Sequence, residues 1–209
     1  MKRRIILLLL GLATLIGAEA QPLEKNLLGV RAGVEVAYIR ARGEYVHGTT
    51  NPRIGFRLGV SDQVLLWQRI PLHIETGVHF SSRGGRFEET SFRPMYLQIP
   101  ALLTWRFRLG ERIWIRPFAG IEYGVGIGGK ARTPEDWGDL FGPTGFLRRS
   151  DLNARAGFEL SIRRICIQGA FEAGLCNQFA SPAAQTPLLP AGIGRLYGRS
   201  FTVAIGYDF

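Results

Sequence analysis

His79 and Ser81 place a base and a nucleophile two residues apart in this chain of 209 residues. A serine hydroxyl attacks an ester when a histidine takes its proton and a carboxylate orients that histidine. Glu75 lies four residues before His79, which is about 13 Å along an extended strand at ~3.3 Å per residue. Glu75 therefore cannot orient His79, and the sequence assigns no other carboxylate to that role. We expect no catalytic residues, and keep His79 and Ser81 only as the site of an alternative function.

Other residues capable of chemistry lie too far apart to cooperate. His73 and His79 are about 20 Å apart on a strand, so they cannot share a metal ion. Cys166 and Cys176 are about 33 Å apart, which is beyond the reach of a disulfide and predicts free thiols. The glycine-rich run at 124–129 does not open a helix, so it is not a phosphate loop, and we expect its glycines to make room for large interior side chains. No cofactor and no metal are expected.

An alternation of apolar and polar residues recurs eight times and indicates eight β-strands. Each stretch has about nine to eleven residues, enough to cross a bilayer at a tilt. One face of each strand is apolar, and the other carries glycine with arginine and glutamate. Soluble barrels have the reverse polarity. The pattern therefore predicts an all-β fold, an eight-stranded antiparallel up-and-down transmembrane β-barrel with lipid outside and a polar interior.

Ten charged residues fall on the polar faces, five basic and five acidic. An eight-stranded barrel is just wide enough for side chains to fill, and charges removed from water need partners. We predict a paired polar network that plugs the lumen, with a narrow solute path or ligand site as the alternative. The ten residues are Arg31, Glu35, Arg57, Glu75, Arg106, Arg116, Glu122, Arg155, Glu159 and Glu172.

The links between the strands alternate in length. Alternating long and short links are typical of outer-membrane barrels, in which the short turns face the periplasm. Trp137, Phe141 and Phe146 lie in the third long link and are expected to contact a partner protein or a surface sugar. The predicted long links are 40–51, 83–93, 126–150 and 176–198, and the short ones are 61–70, 108–112 and 162–164.

The first twenty residues have the pattern of a secretory signal peptide. Basic residues 2–4 precede an apolar stretch at 5–16, and Ala18 and Ala20 are small residues of the kind that signal peptidase reads. Cleavage near Ala20 leaves a barrel domain at 21–209 outside the cytoplasm. Nucleic acid is therefore not an expected partner despite the net charge of +9. Anionic lipid headgroups suit the basic surface better.

The end of the chain resembles the signal that the barrel assembly machinery reads on a last strand. Apolar residues alternate up to a terminal aromatic residue, which predicts that machinery as a partner. The signal consists of Phe201, Val203, Ile205, Tyr207 and Phe209.

Four stretches, at 29–34, 75–84, 96–103 and 116–120, also resemble the PorT-like outer-membrane β-barrel family of Bacteroidetes-type bacteria. The resemblance covers roughly residues 25–209. It is most specific in the strand Tyr-Leu-Gln-Ile-Pro-Ala-Leu-Leu, where Gln98 stands in place of the family's more frequent glutamate. It implies an eight-stranded barrel in the outer membrane and little about activity. The family's namesake takes part in a protein secretion system, a role that fold alone does not transfer.

Three functions remain open at this point. The first is a non-enzymatic structural or interaction protein, an accessory of a secretion or envelope complex that acts through its extracellular loops. The second is an outer-membrane lipid hydrolase that uses His79 and Ser81, since lipid A deacylases of the PagL type carry His-x-Ser on a strand of a small barrel. The third is a lipocalin-like periplasmic binder, which would need the apolar face inside. The expected partners are outer-membrane lipid, the assembly machinery and an envelope or secretion-complex protein.

Overall fold

The computed structural model describes residues 26–43, 47–67, 70–87, 90–132, 137–143, 145–180 and 193–209. The predicted signal peptide at 1–20 lies outside these ranges. No helix in the described part of the chain is long and apolar enough to span a membrane. The strands are β1 Asn26–Gly43, β2 His47–Thr49, β3 Asn51–Trp67, β4 Leu72–Ser82, β5 Gly85–Phe87, β6 Thr90–Trp105, β7 Phe107–Arg108, β8 Ile113–Arg132, β9 Trp137–Asp139, β10 Ser150–Ile162, β11 Ile165–Gly174 and β12 Ile193–Asp208.

Eight long strands form a closed antiparallel ring in the order β1, β12, β11, β10, β8, β6, β4, β3. The ring closes because β1 pairs with β12 on one side and with β3 on the other. The short strands β2, β5, β7 and β9 extend the sheet at its ends. A closed sheet bonds its backbone groups internally and leaves no free edge. The eight-stranded up-and-down barrel expected from the sequence is confirmed.

The two faces of the barrel have the predicted polarity. Val34, Phe158 and Ile205 are 53%, 65% and 59% exposed on the outer surface. Arg57 and Glu122 are 4% and 0% exposed in the interior. The lipocalin-like alternative is therefore wrong, because it requires the apolar face inside and the charges outside.

Several strands extend further than the sequence indicates. β3 runs to Trp67 through most of the predicted link 61–70, β8 runs to Arg132, and β12 begins at Ile193. The predicted link boundaries 61–70, 126–150 and 176–198 are therefore wrong. The apolar outward pattern ends near the edge of the lipid band, but backbone N–H and C=O groups still pair with their neighbours beyond it. Hydropathy thus marks the lipid band and not the strand ends.

The mouth of the barrel at the long-link end is filled by apolar side chains. The third long link folds back over it, with the Leu140 N–H donating to the Gly129 carbonyl at 3.1 Å and the Ala180 N–H to the Phe146 carbonyl at 2.8 Å. A Cβ on Gly126 would lie 2.5 Å from the Phe141 ring, so this glycine makes room for the ring. The buried cluster, called here the apolar plug, consists of Ile39, Ala41, Phe92, Tyr96, Ala131, Leu140, Phe141, Phe146, Leu147, Phe179 and Leu196.

The plug corrects one expectation from the sequence. Phe141 and Phe146 are buried at 7% and 1% exposure, so they are not available to a partner as predicted. Trp137 is 52% exposed and stays on the outer surface. The two phenylalanines pack inward because aromatic rings line the mouth of the barrel. Phe146 contacts Phe92 and Phe141 contacts Tyr96, both edge to face.

We predict that Val34→Arg destabilises the membrane-inserted barrel by about 2–4 kcal/mol, since a charge on the lipid face near the bilayer midplane is costly. Val34 lies opposite Val203 and Phe56 in the middle of the apolar band. Urea titration of the protein refolded into phosphatidylcholine vesicles measures the change.

Leu28→Arg is the matched control, because Leu28 is 54% exposed on the same strand near its short-turn end. The cost of a charge on the lipid face falls toward the membrane interfaces, so Leu28→Arg should destabilise the barrel by only about 0–1 kcal/mol. Equal costs for the two variants would contradict the assignment of this face to lipid.

Candidate functional site: the ion-paired lumen

All ten charged residues predicted to face the lumen are buried, at 8% exposure or less. Seven of them join direct ion pairs: Arg31, Arg57, Arg116, Arg155, Glu122, Glu159 and Glu172. The pairs form two groups along the barrel axis, here named the upper and the lower cluster. The upper cluster lies toward the long-link end and the lower cluster toward the short turns.

The upper cluster is centred on Arg57 of β3. Its guanidinium pairs with Glu122, donates to Glu172 at 2.7 Å and donates to the Gln98 amide oxygen at 3.0 Å. Arg155 also pairs with Glu172, so this carboxylate is shared between two arginines. A guanidinium directs several N–H donors in a plane, which suits it to holding several acceptors at once.

Arg83 completes the upper cluster above Arg57. It donates to Asp151 at 2.8 Å and to Glu172 at 2.8 Å, and its guanidinium lies 4.7 Å from the centre of the Tyr96 ring. Burial alone would lower the pKa of this guanidinium, but the carboxylates of Asp151 and Glu172 raise it above its ordinary value. Arg83 is therefore a permanent cation immediately below the apolar plug.

The lower cluster joins the first and last strands to the opposite wall. Arg31 of β1 donates to Glu159 at 2.8 Å and to Asp208 at 2.6 Å. Arg116 of β8 pairs with Glu159 and donates to Asp208 at 2.6 Å. Gln168 connects the two clusters, since it accepts from Arg155 at 2.9 Å and donates to Glu159 at 3.4 Å.

Most of these pairs cross the lumen instead of linking adjacent strands. Arg31–Glu159 joins β1 to β10, and Arg83–Asp151 joins the end of β4 to β10. Both pairs join positions three strands apart in the ring of eight. The lumen is therefore filled and braced by side chains from wall to wall.

The other three predicted residues, Glu35, Glu75 and Arg106, are not members of the two clusters described above. Glu75 accepts a hydrogen bond of 2.9 Å from the Gln63 amide, and the Arg106 guanidinium lies 5.1 Å from the centre of the Trp114 ring. Glu35 is fully buried. Amide and aromatic neighbours therefore contribute to the polar interior alongside opposite charges.

Three further members of the network, Arg83, Asp151 and Asp208, are not among the ten residues predicted from the sequence. Arg83 falls in the predicted link 83–93, although it follows Ser81 at the two-residue spacing of inward positions. Asp151 likewise precedes the inward Asn153 by two residues. Extending the alternation by one step at each strand end would have found both. Asp208 alternates with the outward Tyr207 and Phe209 and so occupies an inward position at the end of β12.

His79 and Ser81 both point into the lumen. His79 Nδ1 lies 2.6 Å from Arg57 Nη2 and 3.8 Å from a Glu122 oxygen, so Glu122 supplies the neighbouring carboxylate that the sequence could not assign. Ser81 is 0% exposed, and its hydroxyl has no hydrogen-bond partner among the described residues, His79 included. A Cβ on Gly59 would lie 1.9 Å from the His79 ring, so this glycine makes room for it.

One group of metal-ligand side chains occurs among the described residues: Glu159, Cys166 and Asp208, with ligand atoms within 4.8 Å of one another. Both carboxylates are already held by Arg31 and Arg116, whose positive charges oppose a cation there. Cys166 is buried, Cys176 is exposed, and both are free.

The five residues of the predicted assembly signal lie on the outer face of β12, each between 39% and 63% exposed. Tyr207 and Phe209 stack edge to face at 5.3 Å, and the Phe209 N–H donates to the Leu28 carbonyl at 2.9 Å. Asp208, which lies between the two rings, points inward to Arg31 and Arg116.

A closed eight-stranded sheet with an apolar exterior and an ion-paired interior defines a transmembrane β-barrel of the outer-membrane class. The comparison of family models agrees, since the outer membrane protein beta-barrel domain matches residues 19–180. The chain belongs to that family and is an integral outer-membrane protein. No curated protein matches its sequence significantly.

Among solved structures, the chain is similar to Ail, the attachment invasion locus protein of Yersinia pestis. The match has 12% identity and a TM-score of 0.48, and it covers 89% of this chain and 100% of Ail. Neisserial surface protein A matches with 9% identity and a TM-score of 0.49, covering 87% and 97%. The outer membrane enzyme PagL matches with 12% identity and a TM-score of 0.43, covering 83% and 98%.

We predict that Arg57→Met lowers the free energy of unfolding by about 3–5 kcal/mol, because it leaves the buried carboxylates of Glu122 and Glu172 without a partner. The urea midpoint of the refolded barrel reports the loss. Arg53→Met is the control, since Arg53 lies on the same strand and, within the described ranges, its side chain donates only to the Phe92 carbonyl. The control should cost about 1 kcal/mol, and a similar small loss for Arg57→Met would contradict the network.

Proposed function

We propose that the protein is a non-enzymatic, PorT-like barrel that acts as an accessory of an envelope or secretion complex. The observation that carries this proposal is the filled interior. Ion pairs cross the lumen at two levels, and the apolar plug covers its mouth. A small cavity beside Arg83 and Tyr96 measures about 20 Å³, enough for about one water molecule. Solute transport therefore has little support, and the surface at the long-link end is left for recognition.

The strand at 96–103, which resembles the PorT-like family, supports assignment to that family through the contacts that its inward residues make in the lumen. The Tyr96 ring contacts both Arg83 and Phe141. Gln98 accepts a hydrogen bond from Arg57. A glutamate, more frequent in the family at this position, could accept the same bond, so Gln98 keeps the acceptor without adding another charge.

A lipid hydrolase remains the second candidate because Glu122, His79 and Ser81 all face the lumen. The arrangement favours the structural role. Arg57 occupies the His79 nitrogen that a triad carboxylate would hold, and the Ser81 hydroxyl does not bond to His79. Ser81 is also fully buried, whereas an ester of a membrane lipid would have to reach it from the outer surface.

We expect Ser81→Ala to leave the lipid A mass spectrum of expressing cells unchanged, because the hydroxyl cannot meet a lipid ester. Cells that lack the protein provide the baseline. A deacylated species that is present with the native chain and lost with Ser81→Ala would replace the structural role by the hydrolase.

A photo-cross-linking amino acid at Trp137 should give a reproducible adduct with another envelope protein in living cells, because this exposed side chain lies on the outer surface of the long-link end. The same probe at Trp105, which is 39% exposed near the short turns, is the control and should give no adduct of that mass. Identical adduct patterns at the two positions would contradict recognition through the long links.

A further inference from the structure

Four arginines project outward where the first and last strands meet. Arg40 and Arg42 lie on β1 at the two-residue spacing of the outward Val34 and Val36. Arg195 and Arg199 lie on β12, on the face that carries Phe201. Arg42 and Arg195 are exposed, and Arg40 and Arg199 are half-buried. These four residues are called the seam arginines.

The strand register places like charges against each other. Arg42 is directly opposite Arg195, Arg40 is opposite Tyr197, and Tyr38 is opposite Arg199. Like charges directly opposite on neighbouring strands destabilise a sheet. None of the seam arginines forms an ion pair with a carboxylate in the part of the chain that the structure describes. The arrangement is therefore one that a bound anion would stabilise.

Two basic residues at the opposite end of the barrel have partners within the chain. Arg108 donates to the carbonyls of Gly110 and Glu111, and Arg164 donates to the Tyr207 hydroxyl. The positive charge at the seam differs from these. Across the seam, the register places only arginine and tyrosine opposite the seam arginines. On their other sides Arg40 lies opposite Thr49, Arg42 opposite His47 and Arg199 opposite Ala173, none of which is acidic.

The depth of the seam arginines identifies the anion. Val36 and Phe201 are the last outward apolar pair of the seam, and the next outward pair is Tyr38 with Arg199. Tyrosine favours the headgroup level of a bilayer. The arginines therefore begin where the hydrocarbon ends, on the long-link side that faces the cell exterior in outer-membrane barrels. Phosphate groups of glycolipids in the outer leaflet lie at this level.

We propose that the seam arginines bind the phosphate groups of an outer-leaflet glycolipid whose acyl chains lie along the apolar face of β1 and β12. Guanidinium groups bind phosphate oxygens through paired N–H donors, which a single lysine ammonium does not reproduce. Tyr38 and Tyr197 contact the sugar ring between the phosphate and the acyl chains. The proposal requires only the inserted barrel and is independent of the protein partner proposed above.

The test uses the full-length protein refolded in a zwitterionic detergent and titrated with fluorescent bisphosphorylated lipid A. The variant replaces all four seam arginines by glutamine. Each basic residue near an anionic lipid surface contributes about fivefold in affinity, so we expect a loss of about 100-fold or more. Lipid A stripped of both phosphates should bind the native protein about as weakly as the variant binds the phosphorylated form. Heat-modifiable migration on a gel verifies that the variant is folded.

Glutamine at Arg108, Arg112, Arg163 and Arg164 gives a control with the same change of charge at the short-turn end, and we expect its affinity to remain native. If the fourfold seam variant fails to fold, Arg42→Gln with Arg195→Gln removes the facing pair and should still weaken binding more than tenfold. Equal losses in the seam and control variants, or equal binding of dephosphorylated lipid A, would overturn the proposal. Displacement of lipid A by inorganic phosphate at equimolar concentration would do so as well, because it would indicate a site for free anions.

Discussion

Backbone hydrogen bonding in a medium without water is the constraint on which the whole structure depends. Each N–H and C=O group within hydrocarbon needs a partner from the protein itself, and a ring of paired strands provides one at every position. In this chain the ring closes through β1, which pairs with β12 along one edge and β3 along the other. A closed ring of eight strands encloses a lumen so narrow that a single arginine side chain can reach a partner on the opposite wall.

That narrow lumen explains why the interior is ionic and still stable. A charge taken out of water is costly unless other groups replace the lost hydration. For Arg57, hydrogen bonds and ion pairs with Glu122, Glu172 and Gln98 replace the lost hydration. For Arg116, Glu159 and Asp208 do so. At the mouth the composition changes from ionic to aromatic, because the returning link supplies Phe141 and Phe146 in place of charges.

The sequence predicts the barrel well because each strand carries its own evidence. Alternation within β1 or β10 is local, and it assigns Val34 to lipid and Arg155 to the lumen without knowledge of any neighbour. Pairing across the lumen is not local. Arg31 and Glu159 are separated by 128 positions in the sequence. No sequence pattern joins the two, because their contact arises from strand order, stagger and side-chain length together. The plug is unpredictable from the sequence for the same reason, since the residue type of Phe141 is the same whether its loop is exposed or folded over the mouth.

Asp208 on the last strand has a consequence for how the chain reaches its final form. Its two partners, Arg31 and Arg116, belong to the first strand and to the middle of the chain. A partly assembled sheet that lacks either strand would leave this carboxylate or its arginines unpaired in an apolar environment. An incomplete sheet is therefore penalised energetically, and pairing of the first strand with the last removes that penalty.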